Sequence, residues 1–79
     1  MSHTISVVPA DRGWAVQSDL LPASLDFVGG GQAEAAARRL AQTQAEAGRT
    51  TEVRIFLRDG ALAGRFIHPA RGGDLLRAG

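Results

Sequence analysis

The chain has 79 residues, a formal net charge of +1 and no cysteine. A chain this short makes one domain, near the lower size at which folding alone buries enough apolar surface. Zero cysteine excludes disulfides, thiolate metal ligands and a thiol nucleophile, and the near-zero charge gives no general electrostatic case for nucleic acid or an acidic membrane surface.

Hydrophobic content of 44% with 22% charge is that of an ordinary globular protein. Much of the apolar count is alanine, however. The few large side chains, each worth about 1.5–3 kcal/mol when buried, leave little surplus over chain entropy. A second copy or a protein partner would supply the missing burial. All nine basic residues are arginine. That reads either as a compositional bias shared with alanine and glycine, or as a set of forked donors for phosphate or carboxylate. Met1–Thr4 is too short and polar for a leader, and no apolar run approaches the roughly 20 residues of a membrane span. The expectation is a cytoplasmic protein with no membrane partner.

In chain order, Thr4–Pro9 alternates as a strand, with Ile5 and Val7 on one side and Pro9 expected to stop it. Ala10–Gly13 reads as a turn and Trp14–Ser18 as the returning strand, Trp14 and Val16 sharing a face. Ser24–Val28 reads as a short third strand with Leu25 and Phe27 inward, broken by Gly29-Gly30-Gly31. Gln32–Ala47 is one alanine-rich helix, with Gly31 expected as its cap and Gly48 as its stop. Ala33, Ala36, Ala37, Leu40, Ala41 and Gln44 form one face, and only Leu40 on it is large. Glu34 precedes Arg38 by four positions, the favourable order for an ion pair.

A second hairpin follows. Asp59-Gly60 predicts a two-residue type I′ turn, which would set Leu57 against Leu62, Phe56 against Ala63, Ile55 against Gly64, Arg54 against Arg65, Val53 against Phe66 and Glu52 against Ile67. The expected core is Ile5, Val7, Trp14, Val16, Leu25, Phe27, Leu40, Val53, Ile55, Leu57, Leu62 and Phe66. Residues 1–68 form the expected domain, and 69–79 a flexible tail. The fold class is α+β: an antiparallel sheet of four or five strands, in the order β-β-(β)-α-β-β, with one helix on one face.

Val7-Val8-Pro9, Gly13-Trp14-Ala15-Val16, Gln32-Ala33-Glu34-Ala35, Arg38-Arg39-Leu40-Ala41, Glu52-Val53-Arg54-Ile55 and Asp59-Gly60 occur in that order. In this order and spacing the chain resembles a small bacterial family, the domain of unknown function 2188 family. The resemblance spans most of Ile5–His68. It implies a short, non-enzymatic bacterial module and brings no activity with it.

The residues themselves offer one surface. Arg54, Phe56, Arg58 and Arg65 fall on the outward face of the second hairpin, with Arg54 opposite Arg65 and Glu52 diagonal to it. Two functions fit: a protein-interaction or self-associating module using sheet edges or the Phe56 face, and, as the alternative, an arginine-aromatic surface for single-stranded nucleic acid. The three glycines at a helix start read as a hinge or cap; with no lysine, a Walker-type phosphate loop is excluded. His3 and His68 are the only histidines, and Asp11 or Asp26 would have to complete any metal site, without ligand-like spacing. Ser6, Ser18 and Ser24 lack a GxSxG setting. The carboxylate pair Asp19 and Asp26 lacks the apolar surroundings that raise a pKa. The reading is not an enzyme, with no cofactor and no metal.

Overall fold

The structure is a computed structural model that describes residues 2–71. Five strands and one helix follow in the order β1 (Ser2–Ala10), β2 (Gly13–Ser18), β3 (Leu25–Phe27), α1 (Gly30–Glu46), β4 (Thr50–Phe56) and β5 (Leu62–His68). The α+β class and the element order match the sequence reading. The pairing corrects the expected antiparallel sheet in one place: the sheet is mixed, in the order β3-β2-β1-β4-β5. β1 and β4 lie side by side in parallel, while the other three pairs are antiparallel. Short-loop hairpins dictate the antiparallel pairs. The helix makes the parallel one, because it carries the chain back so that β4 starts beside the start of β1.

Pro9 does not stop β1, which runs on to Ala10. The β1–β4 ladder ends at Val7, whereas Pro9 and Ala10 still pair with Trp14 and Gly13 of β2. Beyond Val7 the strand has one neighbour instead of two, a position where a missing amide is tolerated. The helix starts earlier than expected. Gly29 is its cap, in an extended conformation with no side-chain bond, and Gly48 ends it at φ +93° as expected.

The core lies between α1 and the middle of the sheet. Ile5, Val7, Val16 and Val53 are buried against Ala33, Ala37 and Ala41, with Trp14, Leu20, Leu21, Phe27, Leu40 and Ile55 packed around them. Ala45 extends the buried alanine stripe by one more turn. Methyl side chains at every fourth position give the helix a flat, narrow face. It lies mostly over β4, β2 and β1. Thr51 is the one buried polar residue among those described, and its hydroxyl donates to the Arg49 carbonyl at 3.0 Å.

Four expected core residues are not in the core. Leu25, Leu57, Leu62 and Phe66 remain 39% to 49% exposed. Leu62, paired with Phe56 after the register shift, is turned to the helix-free face, and Leu57 lies past the end of β4 in the hairpin. For Leu25 and Phe66 the reason is width. A helix with its side chains spans about 10–12 Å, but five strands about 4.8 Å apart span nearly twice that, so the outer strands extend past the helix.

The second hairpin corrects the expected turn and keeps most of its register. Gly60 alone has a positive φ, at +91°, so Asp59-Gly60 is not a type I′ pair, which needs both. Instead Gly60 N–H donates to the Leu57 carbonyl and Leu57 N–H to the Ala61 carbonyl, at 2.9 and 2.7 Å. This is a three-residue loop closed by a glycine bulge. Phe56 consequently faces Leu62 rather than Ala63, and a register shift just before it restores Ile55 against Gly64, Arg54 against Arg65 and Glu52 against Ile67.

The start of the expected tail is tied to the body. Ala70 N–H donates to Thr50 Oγ1 at 3.1 Å and Arg71 N–H to the Ala45 carbonyl at 2.9 Å. The rest of that tail lies outside the described residues. No helix among them is long and apolar enough to cross a membrane.

Two glycines give opposite expectations. A Cβ on Gly13 would stand 2.2 Å from the Phe27 carbonyl oxygen, where β3 closes over the start of β2; around Gly31, in the first turn of the helix, nothing lies within 4 Å. Gly13→Ala is expected to destabilise by about 1–3 kcal/mol and Gly31→Ala to stabilise by up to about 1 kcal/mol. Urea unfolding midpoints check both. A tolerated Gly13→Ala would contradict the close β2–β3 approach.

Candidate functional site

The parallel pairing of β1 and β4 fixes which residues share the helix-free face. Thr4 and Ser6 of β1 lie beside Glu52 and Arg54 of β4, and Ser6 also faces Gln17 of β2. On the far side Arg54 stands opposite Arg65. This face is largely polar, which suits a layer left to water.

Of the four residues expected to form one surface, the structure groups two around an acid. Arg54 Nε donates to Glu52 Oε2 at 3.0 Å, and Arg65 Nε donates to the same oxygen. Glu52 is the anion that the arginine pair needs, as its diagonal placement suggested. The Arg54 side-chain hydrogen bond first, then that of Arg65, holds its carboxyl below the usual glutamate range. Three charges therefore condense into one cluster of net +1. Phe56 is half-buried further along β4.

Arg58 does not join them. It sits in the hairpin loop and turns toward the end of β1, where Nη1 donates to the Ala10 carbonyl at 2.9 Å. Its guanidinium lies 4.9 Å from the Trp14 ring centroid. This contact is not legible in the sequence, because it depends on β4 standing next to β1. Trp14 also explains one glycine: a Cβ on Gly30 would come 3.2 Å from the indole. The glycines at the helix start serve as cap and packing surface.

The remaining candidates stay apart. β4 separates β1 from β5, and Thr51 stands between His3 and His68 in the ladder. Two strand spacings, roughly 9–10 Å, lie between the two histidine backbones. His3 Nδ1 instead approaches Asp19 Oδ2 at 3.4 Å. Asp11 and Asp26 line a cleft of about 570 Å³ at the β1–β2 turn, and Asp19 lines a different one with His3. Asp19 and Asp26 thus form no pair. The Ser18 hydroxyl donates to the Thr4 carbonyl at 2.9 Å and accepts from Leu20 N–H at 3.1 Å, so both of its roles are taken by the chain turn after β2.

What the sequence reading missed is at the edges. Every exposed large apolar residue among those described lies on an edge strand or its connection: Leu25 and Val28 at β3, and Leu57, Leu62, Phe66 and Ile67 at β5 and its hairpin, with exposures from 39% to 85%. Arg38 roofs part of this strip, its guanidinium 4.1 Å from the Phe66 centroid. Arg38 Nε also stands 2.9 Å from Glu34 Oε2, the ion pair their spacing predicts. Alternation in the sequence marks these residues as apolar. It does not say that they lie beyond the reach of one helix.

No family model matches the chain, and no curated protein or solved structure matches it either.

The Glu52 cluster carries a pH signature. A carboxyl whose folded pKa is depressed adds stability above its unfolded pKa and loses it as pH falls toward the folded one. Glu52→Gln is therefore expected to lower the thermal midpoint at neutral pH, with the gap closing as pH drops below the usual glutamate range. A gap independent of pH would contradict the pairing.

Proposed function

We propose that this chain is a non-enzymatic protein-interaction module that self-associates through the open edges of its sheet. The observation that carries this reading is the confinement of its exposed large apolar residues to the two edge strands and the β4–β5 hairpin. β5 is seven residues long, with one side of its ladder unpartnered among the described residues. Folded proteins blunt such edges with lysine, proline, a bulge or a covering segment, and the one bulge of this hairpin lies at its loop end, leaving residues 64–68 in regular pairing. β5 has neither lysine nor proline, and its one arginine is engaged by Glu52.

The reading agrees with the scarcity of large buried side chains, since a partner strand would cover Leu62, Phe66 and Ile67. Weighing against the nucleic-acid alternative is the charge arrangement. With Glu52 between Arg54 and Arg65 the face keeps only a net +1, too little for a run of phosphates, and Arg58 is turned to Trp14.

Light scattering over a concentration series tests the proposal on the wild type and on Ile67→Lys, which places an ammonium group on the edge. The wild-type mass is expected to rise above that of one chain as concentration increases. The variant is expected to fold normally by circular dichroism and to remain monomeric. A wild type that stays monomeric throughout would sink the reading.

A further inference from the structure

The two edges of the sheet are unlike, and they are complementary. β3 runs parallel to β1 and β4, whereas β5 runs against them. A copy of the chain shifted sideways in the plane of the sheet therefore brings its β3 against β5 in antiparallel orientation, with both helices on the same side. Face also matches. Asp26 pairs with Ala15 on the helix-free face, and Arg65 pairs with Arg54 on that same face. Leu25 and Phe27 are on the helix side with Val16 and Trp14, as are Gly64 and Phe66 with Ile55 and Val53.

We propose that copies of this chain join head to tail, the β5 edge of one pairing with the β3 edge of the next so that Arg65 faces Asp26 of the neighbouring copy. In that register Phe66 meets Leu25 of the next copy, and Gly64 meets its Phe27. Leu25 and Phe66 are each about two-fifths exposed, and a side chain at Gly64 would touch only the Phe66 ring, so that position has room for an aromatic neighbour. Charge selects this arrangement over the symmetric one. Two β5 strands paired about Arg65 would set like charges opposite each other, whereas β3 brings an exposed carboxylate to the same position. Glu52 already engages Arg65, and its two-arginine cluster keeps a net +1 to meet that carboxylate. Because a head-to-tail contact leaves a free β3 and a free β5 at the two ends, and because sheet twist carries each copy around, the product is an open ladder rather than a closed pair.

This inference rests on the edge-association reading above, and charge reversal separates the two. Sedimentation or light scattering on the full chain would compare wild type, Asp26→Arg, Arg65→Glu and the double variant, with melting curves to confirm folding. The wild-type mass is expected to climb past twice the monomer without a plateau. Each single reversal should weaken association by about tenfold or more, and the double reversal should restore it. A wild type that plateaus at two chains, or an Asp26→Arg variant that assembles like wild type, overturns the head-to-tail arrangement and leaves edge association standing. A monomeric wild type overturns both.

Discussion

A stripe of four alanines sets the distance between helix and sheet, and the rest of the molecule follows from it. Ala33, Ala37, Ala41 and Ala45 are buried at successive turns of α1. With methyl groups alone at the contact, the helix backbone settles close to Ile5, Val7, Val16 and Val53. Close packing of this kind is well filled but narrow. It secures the central strands β4, β2 and β1. It cannot also wrap the outer strands, so the large apolar side chains of β3 and β5 end at the rim.

That constraint separates what the sequence revealed from what it did not. Local periodicity was enough for the strands, the alanine helix, the Gly48 stop and the pairing of Glu34 with Arg38. It was also enough for most of the second hairpin, down to Arg54 against Arg65 with Glu52 between them. The turn itself was misread by one residue. The register survived because the bulge beside Phe56 offsets the three-residue loop. Everything that depended on β4 lying parallel to β1 was out of reach. A non-local pairing leaves no mark in any window of the chain, and neither does the width of a sheet relative to its helix. Arg58 against Trp14 and His3 and His68 on either side of Thr51 follow from that one pairing, and the exposure of Leu25 and Phe66 from that width.

The same physics gives the edges their significance. Burying a Leu or Phe side chain is worth about 1.5–3 kcal/mol, a large fraction of the 5–15 kcal/mol by which small domains are stable. A chain with so few large apolar residues leaves six of them partly or mostly in water at its two edges and hairpin tip. On the helix-free face the polar residues are paired among themselves, as Glu52 with Arg54 and Arg65 shows. The unspent capacity for interaction therefore lies in the plane of the sheet. Backbone hydrogen bonds and apolar side chains act there together, as in other cases of strand addition.

The most direct test of this account is backbone amide hydrogen exchange measured residue by residue at low and at high protein concentration. Amides of Leu25–Phe27 and of Leu62–His68 are expected to slow together as concentration rises, while those of β1 and β4 do not change. Exchange at both edges that is the same at every concentration would contradict it.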